Sequence, residues 1–121
     1  MADCTEIRLK RSERALEVAY DDGARFHLPA EYLRVESPSA EVQGHGPGQK
    51  TTVGGRREVG IMRVEAVGQY AVRLIFDDLH DSGIFSFAYL RTLGEEHATR
   101  WAAYQADLAA KGLSRDPPRR G

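Results

Sequence analysis

A single cysteine, Cys4, in 121 residues leaves no possibility of a disulfide or a cysteine-built metal cage within one chain. No apolar run approaches the ~20 residues that a membrane helix needs. The opening MADCTEIRLKRSERA has no apolar core of the kind that marks a secretory signal. Neither charge is in excess: 17 basic residues face 18 acidic ones, a formal −1, so no global pull towards nucleic acid or a membrane surface is expected. The four histidines, at 27, 45, 80 and 97, include no pair at the HxxxH metal spacing. No serine lies in a GxSxG nucleophile elbow, and no internal repeat is present. On these absences a reduced, cytoplasmic, single-domain protein is expected. A hydrophobic share of 41% and a charged share of 29% suit one modest core.

What is there centres on residues 70–94. In Tyr70–Phe76 the positions Tyr70, Val72, Leu74 and Phe76 point one way, and Ala71, Arg73 and Ile75 the other, the alternation of a half-buried strand. Asp77-Asp78-Leu79-His80-Asp81-Ser82-Gly83 supplies turn chemistry, and Ile84–Ser86 is a stub of strand. Phe87, Leu90 and Leu93 share a helical face over 87–93, with Gly94 as the residue that closes it. Glu95–Lys111 reads as a second amphipathic helix, with Trp101, Tyr104 and Leu108 on one stripe and Gly112 as its cap.

The first half opens a sheet. Thr5–Lys10 and Ala15–Tyr20 alternate, Asp21-Asp22-Gly23 is a hairpin signal, and Phe26 and Leu28 continue beyond it. Pro29 ends that strand and opens a short helix near 30–35, which Ser37-Pro38-Ser39 breaks. Residues 43–57 hold five glycines and a proline in fifteen positions, a loop rather than core. The loop lacks the GxxxxGK[ST] spacing of a phosphate cradle. Val59–Val67 returns as a strand whose Met62, Val64 and Ala66 face is the more consistently apolar, and Gly68-Gln69 turns it into the next. The fold class is α+β: small antiparallel sheets of short strands, a short helix near 30–35, a helix near 87–93 and a C-terminal helix 95–111. One domain spans 1–112, and 113–121 is a flexible tail.

His80 is the one histidine with company, since Asp77, Asp78 and Asp81 crowd it. Nearby carboxylates favour a protonated imidazole, or orient it as a ligand. Two readings follow: a weak divalent-ion site, or a staple holding the turn to the core. One imidazole and turn carboxylates fall short of a closed metal site, which favours the staple. His27 belongs to a solvated strand face, His45 to the loop, and His97 to a helix start where it is expected neutral and exposed. No nucleophile or acid–base pair stands out, so an enzyme is the weaker class.

The segments LPAEYLRVESPSAEVQGHG (28–46) and VGIMRVEAVGQYAVRLIFDDLHDSGIFSFAYLRTLG (59–94), with the early Asp-Asp-Gly hairpin, resemble a known family. It is that of small bacterial proteins related to the N-terminal domain of γ-butyrobetaine hydroxylase, once catalogued as a domain of unknown function. The resemblance covers residue 5 to about 94 and implies an α+β fold of short antiparallel strands. In that family the domain precedes the catalytic jelly roll of carnitine-pathway dioxygenases, and it is attached to some P-loop iron–sulfur carriers. In the dioxygenases it binds zinc through a CxCxxC run and a distant histidine. Ser37, Ser39 and Val42 stand at the three cysteine positions here, and His80 at the histidine. Leu79 replaces the glycine usual before it. The iron and 2-oxoglutarate site belongs to the catalytic domain, for which 121 residues leave no room.

The leading expectation is therefore a non-catalytic cytoplasmic accessory domain that binds a protein partner, in the setting of iron–sulfur or cofactor metabolism. The expected contact surface is the Ser37–Gly48 segment with the His80 turn: Ser37, Ser39, His45, Asp78, His80 and Asp81. No cofactor is expected. The alternative is a zinc or iron protein using His80 with Asp78 or Asp81, completed across a homodimer by His45.

Overall fold

The computed structural model describes residues 2–44 and 50–117. β1 (Cys4–Lys10), β2 (Ala15–Tyr20) and β3 (Arg25–Pro29) form one antiparallel sheet in the order β1-β2-β3. α1 (Ala30–Val35) and a single turn of helix, α2 (Ala40–Gln43), follow. β4 (Ile61–Val67), β5 (Ala71–Phe76) and β6 (Gly83–Ser86) make a second antiparallel sheet, in the order β4-β5-β6. α3 (Phe87–Glu95) and α4 (His97–Ala110) complete the chain. The class is α+β, with two three-stranded sheets.

The alternation in the sequence becomes the core. Leu16 and Val18 of β2, Leu28 of β3, Leu74 and Phe76 of β5, and Leu90 and Leu93 of α3 are buried in one cluster. Fully burying side chains of this size contributes about 1.5–3 kcal/mol each before entropy is set against it. A smaller cluster of Val35, Tyr104 and Leu108 seats α4, as its stripe predicts. Gly112 takes φ 66°, the left-handed geometry of a helix cap.

Several expectations need correction. Tyr70 is 77% exposed rather than on the core face, because β5 begins only at Ala71, after the turn. In β4 the register slips between Ile61 and Arg63, so the strand changes parity. Ile61 then enters the core, Met62 turns outwards and Val64 packs inwards. Gly94 does not end α3 as a left-handed cap. It lies within the helix, where a Cβ would overlap the Phe26 ring. His97 is partly covered, stacked on Tyr32 with ring centroids 4.3 Å apart.

Nor are residues 113–117 free. The Ser114 and Arg115 carbonyls accept from the backbone N–H groups of Gly55 and Arg57, at 2.8 and 2.9 Å. Arg115 donates twice to the buried carboxylate of Glu31 and covers Trp101. The Gly-rich stretch permits this approach: a Cβ on Gly54 would come within 2.9 Å of the Ser114 oxygen. The described part of loop 43–57 is tied down as well. Thr51 N–H bonds the Val42 carbonyl, and Tyr104 OH bonds the Val53 carbonyl at 2.6 Å.

Gly94→Ala separates packing from propensity. Helix propensity alone gains about 1 kcal/mol for this change, whereas overpacking costs about 1–3 kcal/mol. We expect net destabilisation in urea unfolding; a more stable variant would show that Phe26 yields without cost.

Candidate functional site

The turn between β5 and β6 meets the strap between α1 and α2 at His80. Pro38 keeps the strap from continuing α1, and the backbone of Ser39 is extended before α2 starts. This brings Ser37 and Ser39 beneath the imidazole. The turn closes on itself through Phe76 N–H to the His80 carbonyl, 3.0 Å, and His80 N–H to Asp78 Oδ1, 3.1 Å.

His80 is 4% exposed. Its Nε2 lies 2.9 Å from Ser37 Oγ and 3.3 Å from Ser39 Oγ, and its Nδ1 lies 3.1 Å from Glu41 Oε2. A carboxylate oxygen can only accept, so Nδ1 carries the proton and donates it to Glu41, while Nε2 accepts from Ser37. Glu41 also accepts from Ser82 Oγ at 3.2 Å. Burial, then the nearby Arg34 cation, push the His80 pKa below its ordinary value of 6.5 against the opposing pull of Glu41. The imidazole is neutral at pH 7.

This departs from the crowd of aspartates expected. Asp77 turns outwards towards Gly60, and Asp81 is exposed. Asp78 accepts from Arg34 Nε at 2.8 Å, and Arg56 Nε is an ion-pair partner at 2.7 Å without hydrogen-bond alignment. Burial pushes the Asp78 pKa up, but the His80 N–H, Arg34 and Arg56 together hold it below the usual carboxylate range. Glu41, the actual partner of the imidazole, was missed because its contact spans 39 positions. Nothing in the local pattern announces it.

Ser37, His80 and Glu41 have the connectivity of a hydrolytic relay, but Ser37 is fully buried. Its hydroxyl faces Gly83 so closely that a Cβ there would sit 2.6 Å from Oγ. No substrate atom can reach that oxygen in this arrangement. Larger clefts lie elsewhere, such as one of 690 Å³ lined by Tyr20, Tyr70, Phe87 and Arg91.

A zinc ion does not fit the residues present. Two positions supply hydroxyls bonded to the imidazole and to each other, and Val42, 2% exposed, supplies only methyl groups. Among the described residues, no group of three or more His, Cys, Asp or Glu side chains is placed to hold a metal. His45 lies outside the described residues. Of the expected contact residues, Ser37, Ser39 and His80 are buried, and Asp81 is exposed.

The two small sheets and the strap–turn junction define a small α+β domain. Residues 7–91 match the family described as gamma-butyrobetaine hydroxylase-like, N-terminal, and the chain belongs to it. Two proteins with NMR solution structures are 45% and 41% identical, with TM-scores of 0.84 and 0.83. The matches cover 99% and 100% of this chain and 94% and 90% of theirs. A crystal structure from Acidithiobacillus ferrooxidans, of a DUF971 family protein with unknown function, is 39% identical with a TM-score of 0.64. That match covers 76% of this chain and 92% of the other. No curated protein matches.

Because the folded pKa of His80 is depressed, the unfolded chain binds more protons in the window below 6.5. Stability is full above that pH and falls as pH drops through the window. His97 is depressed in the same direction, so His80→Gln should make the slope shallower without abolishing it. An unchanged slope in pH-dependent denaturation would contradict the assignment. A second expectation concerns Leu79, held at φ 73°. Leu79→Gly should stabilise the fold by roughly 0.5–1 kcal/mol, the left-handed penalty relieved less the entropy of glycine. A lower Tm would contradict it.

Proposed function

We propose that the chain is a non-catalytic accessory domain that docks on a protein partner. The observation that carries this reading is the sealed state of the Ser37–His80–Glu41 cluster, in which Ser37 and His80 are buried and bonded to each other. A hydrogen-bonded network of this kind rigidifies two segments distant in sequence. Its effect is to present the exposed side of the strap and turn, Glu41, Asp77, Leu79 and Asp81, in one fixed arrangement. The resemblance supplies the setting, since it implies company with dioxygenase and iron–sulfur carrier domains. A cofactor-handling protein is thus the partner class we favour, and the cytoplasm its place.

The metal-binding alternative asks His80 to release Ser37, and Asp78 to release two arginines, before either can coordinate. Protein purified without a metal-affinity tag should hold less than about a tenth of an equivalent of zinc or iron, well short of a structural site. One equivalent, lost in His80→Ala, would favour the metal reading instead. For the docking reading, affinity capture of the full chain from its native cells should return a partner in near-stoichiometric yield. Capture at background level would overturn it.

A further inference from the structure

Leu79 is 85% exposed, the most exposed large hydrophobic side chain of the described residues. Single exposed leucines are common, but this one sits at φ 73°, a backbone conformation that favours glycine. The turn beneath is braced at every neighbouring residue. Asp78 is fixed by Arg34 and Arg56, and His80 by Ser37 and Glu41. Leu79 N–H bonds the Phe76 carbonyl at 3.1 Å. The braced backbone thereby holds the side chain out as an apolar knob. The exposed carboxylates Asp77, Asp81 and Glu41 flank it. The cations close to them are engaged by other carboxylates: Arg34 and Arg56 by Asp78, Arg14, beside Asp77, by Glu58, and Arg73, near Asp81, by Glu65.

We propose that Leu79 is the anchor of the docking surface, and that its partner is a protein with an apolar pocket rimmed by lysine or arginine. The inference rests on the accessory-domain reading and deepens it. With its backbone already braced, Leu79 leaves only its own side-chain rotamers to be ordered on entering a pocket. The flanking carboxylates speed encounter and set orientation, so association weakens as salt rises.

The test places a photo-crosslinking amino acid at position 79 of the full chain in its native cells, with Ala102 on exposed α4 and Tyr70 as comparison positions. The protein cross-linked at 79 is then purified and titrated with the unmodified chain. We expect an adduct at 79 that is absent at 102. Leu79→Gly should bind that protein about tenfold more weakly or worse, while folding at least as stably. Glu41→Gln with Asp81→Asn should flatten the salt dependence. Leu79→Gly binding within about twofold of the parent, a tenfold loss being the mark of an anchor, would overturn the proposal. So would an adduct at Tyr70 with none at 79, although the accessory reading would survive it. No adduct at any of the three positions, with no partner captured by affinity, would overturn both.

Discussion

The hydrogen bonds of one buried imidazole join the two halves of this domain where the strap meets the β5–β6 turn. Nε2 of His80 accepts from the strap that follows α1, and Nδ1–H reaches Glu41 at the start of α2. The strap is also held by its backbone turns, by the Gln43 amide bond to the Ser37 carbonyl and by the Tyr89 hydroxyl bond to the Glu36 carbonyl. A buried polar group left unpaired costs about 1–3 kcal/mol, so this network must be complete to be useful. It is completed by two serine hydroxyls and the Glu41 carboxylate. The positions where the resemblance implies thiolates hold serines and a valine, and the junction is kept without them. Of the two readings of His80 open in the sequence, the geometry supports the staple.

The same logic of paired buried charge runs along the adjacent face. Glu36, 3% exposed, is neutralised by Lys50 and Arg100, and Glu31 by Arg115. Each pair bridges elements far apart in sequence and closes α4 and the C-terminal segment over the strap. Breaking such pairs costs more than forming them gains, because the partner is left buried and charged.

Much of the fold was legible in the sequence. Alternation in Ala15–Tyr20 and Ala71–Phe76, the Asp-Gly hairpin and the stripe of α4 are local signals, and they place the elements. What escaped was set by tertiary contact. The slip at Ile61–Arg63 changes the parity of β4, so that Ile61 replaces Met62 on the core side while Val64 stays inwards. Gly94 reads as a cap but serves as a notch for Phe26, and the tail is fastened by a glutamate 84 positions away. At the site, the roles of Ser37, Ser39 and His80 as neighbours came from resemblance, not from spacing. Glu41 was invisible to either, and the three aspartates that looked like partners of His80 mostly serve elsewhere.

The most direct measurement of the central claim is nitrogen-detected NMR of the His80 ring across pH, with and without one equivalent of zinc. A neutral ring protonated on Nδ1, titrating below 6.5 and indifferent to zinc, is the predicted result. A ring that titrates at or above that value, carries its proton on Nε2, or shifts with stoichiometric zinc would contradict the hydrogen-bonded staple.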